Sequence, residues 1–151
     1  MALGRRKPSQ QPLWIANGDL PLSPGHPFYA ALNRLLADAG FDRFVEQMCA
    51  PYYADNVGRP GIAPGVYFRM LLVGYFEGLG SQRGIAWRCS DSLSLREFLG
   101  LAADQPTPDH SSLTVIRQRL PLEVHEQVFV AVLAIARERK LLRGKTVAVD
   151  S

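Results

Sequence analysis

Two stretches of this chain hold residues whose types and spacing could do chemistry. The first is Lys145-Thr-Val-Ala-Val-Asp150-Ser151. It reads as a short buried β-strand in which Thr146, Ala148 and Asp150 face one way and Val147 and Val149 the other. A carboxylate in so apolar a strand is costly to bury unless it is paired or bound to a cation. Mg²⁺ takes oxygen ligands, usually one or two carboxylates with waters and a substrate phosphate. Two-metal phosphoryl chemistry needs several acids converging on one site. Here one acid is at hand, so the residues alone leave Asp150 open as a metal ligand or as a strand-end cap.

The second stretch is Asp109 to Leu120. Asp109 is a strong N-cap candidate. At about 100° per residue, Leu113, Ile116 and Leu120 share one face and must point inward. The opposite face carries Ser111, Thr114, Val115 and Gln118, with Arg119 on one flank and Arg117 on the other. Small polar groups facing out between arginines suit a helix that reads a nucleic-acid groove. The first set would meet base edges and the arginines phosphates. The same residues also describe an ordinary solvated face. Arg83, Arg88 and Arg96, on the helices just upstream, extend a phosphate-contacting surface in the first reading and are plain surface charge in the second. His26, His110 and His125 are too scattered for a metal site, and His110 reads as a local hydrogen-bonding residue beside the cap.

The elements that must position these residues are helical. Residues 1–26 hold Pro8, Pro12, Pro21 and Pro24 with scattered Gly, Ser and Gln, the composition of an extended arm. Trp14 and Ile15 are the residues that could pin it to the body. Phe28, Leu32, Leu35 and Leu36 recur at helical spacing up to Gly40. Phe41, Phe44, Val45 and Met48 share a face of a second helix stopped by Pro51, and Asn56–Pro60 reads as a loop. Pro64 opens a third helix at the position where its missing N–H costs nothing. That helix is apolar almost all round, as a central core helix must be, and Gly80 is expected to end it. Shorter helices follow at 81–89 (capped by Ser81, with Ile85 and Trp87 apolar), 93–99 (capped by Asp91 or Ser92, closed by Gly100) and 109–120. Three short helices with brief links suit a helix-turn-helix-like cluster. A longer helix starts at Pro121, runs through Val124, Val128, Val132 and Ile135, and is expected to end at Gly144. Arg137, Arg139, Lys140 and Arg143 crowd its last turns, where cations favour the helix dipole.

Length and composition bound the rest. At 151 residues, 47% hydrophobic and 21% charged, the chain is globular, with room for a real core. A net charge of +3, spread evenly along the chain, makes any basic surface a matter of placement. Cys49 and Cys89 lack CxxC spacing and read as buried reduced thiols. Arg5, Arg6 and Lys7 are followed by no apolar run, so no signal peptide is expected. The apolar run Val66–Phe76 is too short to cross a membrane. The expectation is a soluble cytoplasmic protein.

Taken in order, the segments resemble the N-terminal part of bacterial insertion-sequence transposases of the DDE class, the InsH-like group. The pieces are Arg59-Pro-Gly-Ile-Ala-Pro64 before the core helix, Ser94-Leu-Arg-Glu-Phe-Leu-Gly-Leu101, Thr107-Pro-Asp-His-Ser-Ser-Leu113, and the tail Gly144–Ser151. The resemblance implies a helical region that helps bind transposon ends, followed by an RNase H-like fold whose three acids hold two divalent metals. Only Asp150 matches a catalytic position, so Mg²⁺ is expected in the full-length family and not on this chain alone. The resulting expectation is mainly α. An arm at 1–26 leads to a helical transposase domain at 27–143, and 144–151 is the first strand of a truncated RNase H-like domain. Its partners would be DNA and a second copy or an intact transposase, with no membrane and no small-molecule substrate. A non-enzymatic regulator of transposition and a functionless remnant are the alternatives.

Overall fold

The computed structural model describes residues 1–9, 11–21, 23, 25–53 and 61–141. The strand expected at 144–151 with its Asp150, and the loop expected at Asn56–Pro60, lie outside the described residues. Within them the chain forms α1 (Pro27–Asp38), α2 (Phe41–Cys49), α3 (Pro64–Glu77), α4 (Gln82–Ser90), α5 (Leu93–Phe98), α6 (His110–Arg119) and α7 (Leu122–Glu138). Single 3₁₀ turns lie at Asn17–Asp19 and Ala50–Tyr52, and no strand forms among the described residues.

Helix starts follow cap chemistry. Ser81 Oγ accepts from the Gly84 N–H at 3.0 Å, Ser92 Oγ from the Leu95 N–H at 3.2 Å and Asp109 Oδ1 from the Ser112 N–H at 2.9 Å. Pro27 and Pro64 each occupy a first helical turn. Two stops differ from expectation. Helix α3 ends at Glu77, with Gly78 rather than Gly80 in the left-handed conformation. Helix α7 ends at Glu138, short of Gly144. Lys140 takes the left-handed position there (φ 61°), and the Leu141 N–H returns to the Ala136 carbonyl at 2.8 Å.

Helix α3 is the core, as its all-round apolar sequence requires. Tyr67, Phe68, Met70, Leu72 and Val73 are fully buried, each contributing roughly 1.5–3 kcal/mol relative to exposure. Helix α2 packs on one part of it and α4 on another. The α4 contact is close: a Cβ built on Gly74 would stand 2.6 Å from Ile85 Cδ1. Helix α1 packs on α2, α5 and α7, and α4 packs on α5 and α6. The α5–α6 link covers residues 99–109, longer than the three- or four-residue turn of a helix-turn-helix.

Arg69, which interrupts the apolar run of α3, is only 7% exposed. Its Nε donates to Asn33 Oδ1 on α1 at 3.0 Å. Its Nη1 donates to Asp42 Oδ1 on α2 at 2.8 Å and to the Gly65 carbonyl at 3.1 Å. The guanidinium carbon lies 5.3 Å from the Phe41 ring centroid and 5.9 Å from that of Phe98 on α5. One cation thus joins four helices. Gly65 makes room for it, since a Cβ there would sit 1.9 Å from Asp42 Oδ1. A second tie centres on Glu77, which accepts from the Tyr29 hydroxyl at 2.7 Å and from Arg88 Nε at 2.6 Å. Burial alone would raise its carboxyl, but these two hydrogen bonds and the Arg88 charge outweigh burial and hold it below its ordinary value.

Cys49 and Cys89 are free and buried, and burial pushes the Cys89 thiol up to about 12. Trp14 and Ile15 do not pin the arm: they are 87% and 54% exposed. No helix among the described residues is long and apolar enough to cross a membrane.

Candidate nucleic-acid interface

Helix α6 shows which of the candidate residues the fold leaves outward. Leu113, Ile116 and Leu120 are buried as their spacing requires. Anchoring that face turns Ser111, Val115 and Gln118 to solvent, with Arg117 and Arg119 also exposed. Thr114, expected among the outward set, is half-buried. Its hydroxyl donates to Gln82 on α4 and is also within 3.0 Å of the His110 carbonyl, which ties the two helices. Ser111 donates to Asp109 Oδ1 at 2.9 Å. Together with the Ser112 N–H and hydroxyl, it holds the Asp109 carboxyl below its ordinary value, the Ser112 backbone contact being the largest effect.

The arginines divide. Arg88 is paired with Glu77. Arg96 holds the α5–α6 link: it donates to Thr107 Oγ1 at 2.7 Å, the Gln105 carbonyl at 2.6 Å and the Ala102 carbonyl at 3.1 Å. Arg83 lies 3.3 Å from His110 Nε2, at the start of α6. Arg119 lies over the Tyr53 ring at 4.8 Å. Arg117 makes no hydrogen bond or ion pair among the described residues, and neither does Gln118. Arg83 thus sits at one end of α6, and Arg117 and Arg119 at the other.

Two features were not read from the sequence. Trp87, read from the sequence only as an apolar residue of α4, is 70% exposed one turn after Arg83, while Ile85, Ala86 and Cys89 take the core positions. A groove of about 430 Å³ also opens between α3, the start of α4 and the α6–α7 junction, with Tyr75, Leu79, Gln82, Arg117, His125 and Phe129 on its walls. At its base the Tyr67 hydroxyl meets His125 Nε2 at 2.8 Å, and His125 Nδ1 lies 3.1 Å from the Pro121 carbonyl. A carbonyl can only accept, so Nδ1 carries the proton, and in the neutral ring Nε2 accepts from Tyr67. Burial raises the Tyr67 hydroxyl above its ordinary value, partly offset by the nearby Arg117 charge. No three His, Cys, Asp or Glu side chains converge on a metal site among the described residues.

The α6 face and the three-helix packing behind it fall within a matched family. A family model described as a transposase domain (DUF772) matches residues 19–119, which span α1 through α6. No curated protein and no solved structure gives a significant match. The segments Arg59–Pro64, Ser94–Leu101 and Thr107–Leu113, which carried the resemblance to insertion-sequence transposases, all lie inside the matched span. The chain belongs to the DUF772 transposase domain family.

Proposed function

We propose that the helical body binds DNA at the ends of the transposable element that encodes it, through α6 backed by α4. The observation that carries this is the outward strip Ser111–Val115–Gln118, framed by Arg83 at one end and by Arg117 and Arg119 at the other. Serine and glutamine can meet base edges, the Val115 side chain a thymine methyl, and the framing arginines the phosphates. Helices α4, α5 and α6 would then act as a helix-turn-helix-like unit in which the 99–109 link, held by Arg96, replaces the short turn. Arg88 and Arg96 enter this surface as supports, because their donors already meet Glu77 and the link.

The resemblance also directs Asp150 toward Mg²⁺, which would supply strand-cleavage chemistry. Asp150 lies outside the described residues, and the described ones bring no cluster of acids together. In the proposed reading Asp150 is a ligand only alongside two further acids of a catalytic fold.

The test is fluorescence anisotropy of the full chain on a duplex carrying the element's terminal sequence and on a scrambled duplex of equal length, across a salt series. Tighter binding to the terminal duplex, weakening linearly in log salt, is expected. Equal affinity for both duplexes, or none for either, overturns the proposal.

A further inference from the structure

The arm ahead of α1 offers a second DNA-binding element. Arg5, Arg6 and Lys7 are consecutive, and no acidic residue precedes Asp19. All three are exposed. Beyond them Leu13, Trp14 and Ile15 stand 89%, 87% and 54% exposed, three large apolar side chains in a row. Outside the turn at Asn17–Asp19 the described part of the arm is non-helical, and Pro8 and Pro12 stiffen it toward extended backbone.

Its root is fastened. The His26 N–H donates to Ser94 Oγ on α5 at 2.7 Å, and His26 Nδ1 caps α1 by accepting from the Phe28 N–H at 3.2 Å. The arm therefore leaves the body beside α5, which packs on α4, the helix that carries Arg83 and backs α6. At ~3.3 Å per extended residue, the span from Gly25 back to Lys7 reaches up to roughly 60 Å. That is enough to follow a duplex well past the footprint of a single helix.

We infer that Arg5, Arg6, Lys7 and Trp14 form a second contact on the same duplex, resting on the α6 reading above. Arg5, Arg6 and Lys7 neutralise phosphates along the backbone or in the minor groove beyond the α6 site, and Trp14 packs against the DNA next to them. Extended cationic backbone suits this task because successive side chains can reach successive phosphates without a folded scaffold.

The experiment is the salt dependence of binding to the terminal duplex for the full chain and for the triple variant Arg5→Ala/Arg6→Ala/Lys7→Ala. Three lost phosphate contacts should lower the slope of log affinity against log salt by about 2.7. In a Trp87→Phe background, Trp14 is the remaining one of two tryptophans, so its emission should change on adding duplex. An unchanged slope overturns the inference whichever way Trp14 behaves. A lowered slope with silent Trp14 emission removes Trp14 from the contact and leaves the three cations in it. If the unaltered chain binds no duplex at any salt, the α6 reading falls and the arm contact falls with it.

Discussion

Arg69 and Arg117 are the same residue type on neighbouring parts of one domain, and the fold uses them in opposite ways. Arg69 is enclosed by α1, α2, α3 and α5, with its donors aimed at Asn33, Asp42 and the Gly65 carbonyl and with aromatic rings nearby. Arg117 stands on the open side of α6 at the mouth of a groove and meets no acceptor among the described residues. The first cation has its bonding completed inside the fold. The second keeps its donors for an outside acceptor. Arginine count alone therefore says little about nucleic-acid binding here, and what separates the two classes is whether a partner lies within hydrogen-bond reach.

The largest effects belong to the enclosed region. Asp42→Ala should cost about 2 kcal/mol in urea denaturation, because it leaves a buried guanidinium short of its charged partner. Asp42 is itself 54% exposed, which puts the cost below the full value for a buried pair. Gly65→Ala should cost a similar amount by expelling the Asp42 side chain. In the Asp42→Ala background that cost should shrink by more than about 1 kcal/mol, since alanine is the better helix former. Additive losses would show that Gly65 is required for some reason other than the ion pair.

Arg96 tests the border between the two regions, since its sequence suggests a DNA contact and its geometry a brace. Arg96→Lys should lower stability by about 1–2 kcal/mol, because a point charge cannot reproduce a fork that meets Thr107, Gln105 and Ala102 together. Any loss of DNA affinity should then follow the unfolding. Unchanged stability with a lower salt slope would move Arg96 into the second class.

Glu77 gives a smaller, pH-dependent effect. Its carboxyl is lowered in the folded chain, so its contribution is present above the unfolded value near ~4.3 and is lost as pH falls through the lower folded value. With Arg88 42% exposed, the ion pair itself is worth up to about 1 kcal/mol. Glu77→Gln should therefore flatten the fall in stability between roughly pH 5 and 3. An identical acid limb in the variant would assign that fall to other carboxylates.

How much of this was legible in the sequence follows the same division between local and distant partners. Caps at Ser81 and Asp109 were readable because the hydroxyl or carboxylate and its N–H lie three residues apart, and of the two candidates Asp91 and Ser92 the structure selects Ser92. Helix α3 was readable because a helix apolar on every side has only the core to occupy. Arg69 could be seen as a break in that run, but Asn33 and Asp42 are brought to it by packing. Trp87 could be seen as an apolar residue of α4, but its outward position is set by packing: Gly74 lets Ile85 approach α3 closely, so the smaller residues of α4 fill the contact and the indole turns out. Thr114 likewise turns toward Gln82, a partner that no spacing within α6 could reveal. The stop of α7 was misjudged because glycine is the usual left-handed residue, and Lys140 takes that role four positions before Gly144.

The smallest stability effect is expected where function is proposed to be greatest. Arg117→Ala removes an exposed side chain with no partner among the described residues, so its unfolding midpoint should stay within about 0.5 kcal/mol of the unaltered chain. Affinity for the terminal duplex should nonetheless fall several-fold, and the salt slope by about 0.9 for one phosphate contact. Gln118→Ala should behave differently, leaving the slope alone while narrowing the gap between terminal and scrambled duplexes. If instead Arg117→Ala destabilises the fold, the Tyr67–His125 pair, which shares the groove with Arg117, is the internal acceptor to test. Arg117 would then join Arg69 as a structural cation, and the case for α6 would rest on Gln118, Arg83 and Arg119.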